Sequence, residues 1–187
     1  VNTNSTAETG KPTMRNDIDP KYFVDLNKAD WYVYNENYGS SEEKFLVKYF
    51  HDTIDDLKKK FKNIYLLRNE RFFKLFRFSD AKATEPDFVL FMTDKNSDEE
   101  VIYQLFIEPK GDHLLYNDEW KEQFLQEIEK EALIELYQSQ QFKLIGMPFY
   151  NKNNREDIFI EKLNKIETYD ISSSINIAAE EDLKYKN

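Results

Sequence analysis

Apolar residues in the first half of the chain recur at helical steps and then give way to short uninterrupted runs. Ser40 and Glu43 have the spacing of a capping box. The apolar positions that follow are three or four residues apart, which predicts a helix over residues 41–61. They are Phe45, Leu46, Tyr49, Phe50, Ile54, Leu57 and Phe61.

Four apolar runs come after this helix, at residues 64–67, 72–78, 88–92 and 101–107. A break of three residues at 69–71 predicts a hairpin between the first two runs. The polar segment 94–100 separates the last two, which are close enough in sequence to pair as antiparallel strands.

The second half of the chain predicts a long helix, a strand and a shorter helix. Asp118 can cap the long helix, with Trp120, Phe124 and Ile128 on its apolar face. Residues 142–150 read as a strand that Pro148 confines to a sheet edge or bulge, and a helix near 157–166 follows. This order predicts an α/β fold, a mixed β-sheet flanked by helices.

The expected domain organisation is simple. Residues 1–30 read as a flexible lead-in or linker, residues 31–167 as one domain, and residues 168–187 as a polar tail. No apolar run has the length of a membrane span and no signal peptide is recognisable, so a cytoplasmic location without membrane contact is expected. The first residue is Val rather than Met, which is consistent with a piece of a longer polypeptide.

Composition restricts the chemistry. The chain of 187 residues has no cysteine, which excludes disulfides and thiolate metal sites. Its net charge is −10, from 36 acidic and 26 basic residues. Because nucleic-acid affinity depends on cations that neutralise phosphates, this balance predicts that any nucleic-acid function requires other domains or subunits.

The candidate chemistry lies in Pro86-Asp87, which opens the apolar run 88–92, and in Glu108-Pro109-Lys110, which closes the run 101–107. In an antiparallel pair the start of one strand lies beside the end of the other, so Asp87 and Glu108 are predicted neighbours. Glu108 and Lys110 are two residues apart and project to one side. Two carboxylates and an ammonium suit metal-assisted phosphodiester hydrolysis. The alternative is a surface ion pair at a strand end, with Asp87 in a turn.

The acid-x-Lys triplet alone is a weak signal. It occurs at six other places, all in predicted helices, turns or tails, and only the copy at Glu108 ends an apolar run. The other six begin at Asp19, Glu42, Asp56, Asp80, Glu119 and Asp182.

Several longer stretches carry a resemblance across roughly residues 31–150. They are EPDFVLFMTD, YQLFIEPKGDHLL, DEWKEQFL, YVYNENYGSSEEKF, NIYLLRNE and KLIGMPFYN. Together they resemble the C-terminal nuclease domain of type III restriction enzyme subunits, a branch of the PD-(D/E)xK superfamily. The resemblance implies a restriction-endonuclease-like fold and a Mg²⁺-dependent endodeoxyribonuclease.

The resemblance also implies roles for individual residues. Asp87 and Glu108 would bind Mg²⁺ (or Mn²⁺), with the carbonyl of Pro109 as a further ligand by fold analogy. Lys110 would be the catalytic lysine. Many members add a glutamate from the first helix, for which Glu43 is favoured because it shares the core-facing stripe. Glu42 stays open as the alternative.

The implied partners lie outside this sequence. They are DNA, an ATP-driven helicase motor and a DNA-modification subunit; no G-x-x-x-x-G-K-[ST] phosphate loop exists in this chain, so ATP would serve the motor alone. Two other functions remain open. One is a non-catalytic nuclease-fold module that contacts protein or DNA, and the other is a repair-type nuclease of the same superfamily.

Overall fold

The computed structural model describes residues 20–37, 39–71, 74–76, 82–95, 101–135 and 142–166. The predictions for residues 1–19 and 168–187, and parts of the run 72–78, lie outside these ranges. The elements in chain order are α1 (Ser41–Lys60), β1 (Phe61–Arg68), β2 (Leu75–Phe76), β3 (Ala83–Thr84), β4 (Phe88–Asp94), β5 (Ile102–Ile107), a 3₁₀ turn (Asp112–Leu114), α2 (Glu119–Glu135), β6 (Phe142–Gly146) and α3 (Glu156–Lys165).

Helix α1 begins at the predicted capping box. The Ser40 side chain accepts a hydrogen bond from the Glu43 N–H, and the Glu43 carboxylate accepts one from the Ser40 N–H. Leu46, Val47 and Phe50 are fully buried on its inner face. The sequence prediction for this helix is confirmed to within one residue at its C-terminal end.

The main sheet has four strands in the order β1-β4-β5-β6. β4 pairs antiparallel with β1 and β5, whereas β6 runs parallel to β5 at the edge. The predicted mixed sheet flanked by helices is therefore confirmed, as is the antiparallel pair of β4 and β5. The strand predicted over 142–150 ends at Gly146, before Pro148, and lies at the edge of the sheet.

The predicted hairpin at residues 69–71 is wrong. β1 pairs with β4, and β2 pairs instead with β3 in a separate two-stranded sheet. β1 contributes the buried residues Ile64 and Leu66 to the core, whereas Lys74 and Phe76 beside and within β2 are exposed. β1 pairs with β4 on one edge, and on the other edge its Leu66 forms a parallel bridge with Tyr32, where the hairpin would have placed β2.

The two faces of the main sheet carry separate hydrophobic clusters. The larger one packs α1 and α3 against residues such as Phe88, Leu90 and Leu105. The smaller one joins Val89 and Phe106 to Leu125 of α2 and Phe149. Because successive side chains of a strand alternate between faces, Asp87 and Glu108 share the α2 side with Val89 and Phe106.

The folded part of the chain starts before the predicted domain boundary at residue 31. Within the predicted lead-in, Val24 and Leu26 are each 2% exposed and belong to the larger cluster. Residues 20–30 are thus packed against the core rather than forming a linker. In the described part of the chain, no helix has the length and apolarity needed to span a membrane.

Candidate functional site

Asp87 and Glu108 meet at one end of the β4–β5 pair. Phe88 is opposite Ile107 in the strand register, which places the two acidic residues side by side just beyond the paired ends. The Asp87 N–H donates a hydrogen bond of 3.1 Å to Glu108 Oε2. The predicted proximity of these residues, 21 positions apart in sequence, is confirmed.

Lys110 contacts the other oxygen of the same carboxylate. Its Nζ lies 2.8 Å from Glu108 Oε1 and 2.8 Å from Asp118 Oδ2. Burial alone would lower the pKa of Lys110, but the Glu108 charge and the hydrogen bonds to both carboxylates raise it above its ordinary value. Lys110 is therefore a fixed ammonium at neutral pH and is not suited to act as a base.

The start of α2 adds two charged residues to the site. Lys121 Nζ lies 3.5 Å from Glu108 Oε1 and 3.9 Å from Asp118 Oδ2. The hydrogen bond from Lys110 lowers the pKa of Asp118. Sequence reasoning gave Asp118 only a capping role and overlooked Lys121. Their place in the DEWK stretch, which carries part of the family resemblance, was the available signal.

The Asp87 carboxyl is held in an unfavourable environment for charge. Burial, together with the nearby Glu108 and Glu43 carboxylates, raises the pKa of Asp87 to about 8. Lys110 and Arg68 oppose this effect without cancelling it. Two acids that share a site in this way repel each other, and a cation between them would relieve the repulsion.

Glu43, rather than Glu42, faces this end of the sheet. Glu43 Oε1 accepts a hydrogen bond of 2.5 Å from Arg68 Nη2, and both side chains are less than one fifth exposed. Glu42 accepts a hydrogen bond from the Lys152 N–H on the other side of α1. The same Glu43 therefore caps α1, pairs with β1 and adds its charge to the surroundings of Asp87.

Backbone contacts fix the chain on both sides of the acidic pair. The Asn69 N–H donates to the Asp87 carbonyl at 2.7 Å. Pro109 forms a parallel bridge with Tyr150, and the Lys110 N–H donates to the Tyr150 carbonyl at 2.9 Å. The Asn151 side chain donates to the Lys110 carbonyl at 2.8 Å. The role of the Pro109 carbonyl as a metal ligand stays a prediction.

Three of the five predicted site residues, Asp87, Glu108 and Lys110, line one open cleft, whereas Glu43 and Pro109 are not among its lining residues. Its volume is about 440 Å³, and it lies between the β2–β3 hairpin, the ends of β4 and β5, and the start of α2. The other charged or aromatic side chains in its wall are Lys74, Glu85, Trp120 and Lys121. The cleft is thus lined by three lysines and three carboxylates, although the net charge of the chain is −10.

The donor set fits a hard divalent cation of the Mg²⁺ kind. Mg²⁺ commonly uses one or two protein carboxylates and completes its shell with water and phosphate oxygens. Asp87 and Glu108 supply two such carboxylates in one cleft. Across the described ranges, no group of three or more His, Cys, Asp or Glu side chains is arranged to hold a metal. A cation here would be held by these two carboxylates, with water, phosphate oxygens or the Pro109 carbonyl to complete its shell.

Comparison with known proteins places the chain in a family. A family model described as HI_1054_C, C-terminal domain, matches residues 9–174, which is most of the sequence. The chain belongs to the HI_1054_C family. One similar relative of this HI_1054_C domain is an "Uncharacterized protein" of Haemophilus influenzae, which is 36% identical over 146 residues.

The match covers 73% of this chain but 31% of the relative. The HI_1054_C chain thus spans about a third of the length of that protein. No solved structure matches the chain.

Proposed function

We propose that this chain is the nuclease domain of a Mg²⁺-dependent endodeoxyribonuclease of the type III restriction class. The observation that supports this most is the shared carboxylate of Glu108. One oxygen accepts a hydrogen bond from the Asp87 N–H and the other contacts the Lys110 ammonium. Two acids and a lysine from the ends of two paired strands are the arrangement that the resemblance implies.

Asp87 and Glu108 would hold the metal ion in this proposal. When bound, Mg²⁺ polarises the phosphodiester and acidifies a water molecule. A raised pKa keeps Lys110 protonated, so its ammonium stabilises the charge that develops on the phosphoryl oxygens and does not abstract a proton. Glu43, held by Arg68, would orient a water at the edge of the site, which is the role that the resemblance implies.

The restriction class brings further partners into the proposal. A helicase motor, which uses ATP, would deliver DNA to this domain, and a modification subunit would select the target in the cytoplasm. The chain covers only 31% of its Haemophilus influenzae relative, so that relative has room for additional domains. The net charge of this chain, −10, also favours a domain that cuts DNA held by other parts of an assembly.

The test is DNA cleavage by the full-length protein on circular DNA in the presence of Mg²⁺. The reactions are run with and without ATP and the modification subunit. Lys110→Ala should reduce cutting by about a hundredfold or more, because a lost charge stabiliser typically costs that much. Lys59→Ala removes an exposed lysine of α1 and should leave cutting unchanged. Circular dichroism checks that both variants fold.

Each outcome separates the alternatives. Cutting that requires ATP and the modification subunit supports the restriction class. Cutting without either partner favours the repair-type nuclease. DNA binding without cutting under every condition favours the non-catalytic module, and undiminished cutting by Lys110→Ala removes Lys110 from the mechanism.

A further inference from the structure

A tryptophan lines the same cleft as Asp87 and Glu108. Trp120 lies in the first turn of α2 and is 39% exposed, whereas Phe124, one turn later, is 2% exposed. The helical periodicity predicts both on the buried face, and that expectation is wrong for Trp120. Packing of the core therefore does not account for the position of this indole ring.

Two lysine ammonium groups lie over the Trp120 ring. Lys82 Nζ lies 5.9 Å and Lys121 Nζ 6.0 Å from its centroid. Lys74, which directly precedes β2, lines the cleft as well. Ammonium groups beside an exposed aromatic ring match the two parts of a nucleotide, since the base can stack and the phosphates can pair.

The contacts join this ring to the acidic pair. Lys121 approaches Trp120 and also lies 3.5 Å from Glu108 Oε1. A second aromatic–lysine pair lies on the hairpin, where Lys74 Nζ is 5.9 Å from the ring of Phe76 and that ring is 59% exposed. A strand that crosses Asp87 and Glu108 would therefore meet a ring and a lysine next to them.

We infer that Trp120 is a stacking site for an unpaired nucleotide next to the scissile phosphate, with Lys82 and Lys121 as phosphate contacts. This inference rests on the proposed nuclease function and names its substrate class. Within a duplex both faces of each base are covered by neighbouring bases, so only an unpaired or flipped nucleotide offers a face to the indole. The preferred substrate is DNA with single-stranded nucleotides at the cut.

Tryptophan fluorescence tests this binding without requiring cleavage. The chain has two tryptophans, and the other one, Trp31, is 3% exposed in the core. Quenching by a bound base therefore reports on Trp120. The full chain carrying Asp87→Asn is titrated, without divalent ions, with oligothymidylate, an abasic strand of equal length and a blunt duplex.

The expected result is quenching and binding by oligothymidylate, with much weaker effects of the abasic strand and the duplex. The variants at position 120 lack the reporting indole, so their binding is followed by the fluorescence anisotropy of a labelled oligothymidylate. Trp120→Ala should weaken this binding about five- to a hundredfold, and Trp120→Phe should restore most of it. Lys82→Ala should reduce the slope of log affinity against log salt by about 0.7, the value for one phosphate contact on a single strand. Lys59→Ala is the matched lysine control and should change neither.

Equal binding of the abasic strand, or undiminished binding by a folded Trp120→Ala variant, would overturn the stacking site. The results distinguish failure of the stacking site from failure of the nuclease function. Quenching by a protein that never cuts DNA supports the stacking site and counts against the nuclease. Cleavage by the full-length protein at the same rate with and without Trp120→Ala, and with equal rates on paired and unpaired DNA, supports the nuclease and overturns the stacking site.

Discussion

Arg68 of β1 and Glu43 of α1 form an ion pair with 2.5 Å between Nη2 and Oε1. Their side chains are 19% and 13% exposed, so most of the pair is shielded from water. The Arg68 guanidinium also lies 5.6 Å from the ring centre of Phe88, the residue after Asp87. This pair connects the first helix to the end of the sheet that carries the acidic site.

Removal of Arg68 should leave a shielded carboxylate without this partner. We expect Arg68→Ala to reduce the free energy of unfolding by about 1–3 kcal/mol, the usual cost of an unpaired charged group in such a position. Urea denaturation measures the effect. The double variant Glu43→Gln with Arg68→Ala should recover part of the loss, and strictly additive effects would show that the two side chains are not coupled.

Divalent cations should stabilise the folded chain. Mg²⁺ or Mn²⁺ that binds Asp87 and Glu108 adds about 2.7 kcal/mol at a concentration a hundred times its Kd, which for a chain of this size raises the melting temperature by several degrees. Thermal unfolding with and without the ions measures the shift.

Asp87→Asn and Glu108→Gln should each remove most of the metal-induced shift. Asp55→Asn, a variant at an exposed position of α1, should keep all of it. An equal shift in all four proteins would mean that the ions bind elsewhere.

Stability should fall as the pH rises from about 4 to 8 in metal-free buffer. Asp87 has an ordinary pKa of 3.8, which the folded protein raises to about 8. Between these values the folded state keeps a proton that the unfolded state has lost, so this group favours folding at low pH and the advantage disappears as the pH passes about 8.

Asp87→Asn replaces the titratable carboxyl with a neutral amide and should flatten the dependence of stability on pH. We expect the variant to gain about 1 kcal/mol or more relative to the wild type at pH 8 compared with pH 5. Urea unfolding at both pH values measures the difference, with Asp55→Asn as control. Parallel profiles for Asp87→Asn and the wild type would contradict the raised pKa.

Gly146 should not tolerate a side chain. A Cβ atom at this position would lie 1.6 Å from the Leu125 carbonyl oxygen and 2.2 Å from its carbon. Because these are backbone atoms of α2, relief requires the helix to move away from β6. Gly146→Ala should cost about 3 kcal/mol, at the upper end of the usual range for overpacking.

Thermal unfolding compares this variant with Gly111→Ala. A Cβ atom on Gly111 would meet only the His113 ring, at 3.1 Å and 3.2 Å, so this variant should lose much less. Similar melting temperatures for the two would show that α2 and β6 separate easily.

Local patterns predicted the elements whose partners are near in sequence. Periodicity and the capping box define α1, and the short polar turn defines the β4–β5 pair, so the approach of Asp87 to Glu108 followed from the sequence alone. Strand pairing across a longer distance did not follow. β1 is closer in sequence to β2 than to β4, but it pairs with β4 on one edge and is bridged by Tyr32 on the other.

The remaining parts of the candidate site come from residues with no common local signal. Lys121 and Trp120 reach the cleft because the start of α2 lies beside the Glu108 carboxylate. Glu43 could be placed on the core-facing stripe of α1, but its ion pair with Arg68 depends on the position of β1. Tertiary packing determines these contacts, and periodicity carries no information about it.

The segment that follows β6 hydrogen-bonds the backbone of Lys110 and fixes its position. Tyr150 and Asn151 hold the peptide groups on both sides of Lys110, although they come 40 residues later in the chain. A truncated polypeptide that stops after α2 would retain all the reactive side chains and lose the support that aligns them. Any shortened version intended for enzymology should therefore extend beyond residue 151.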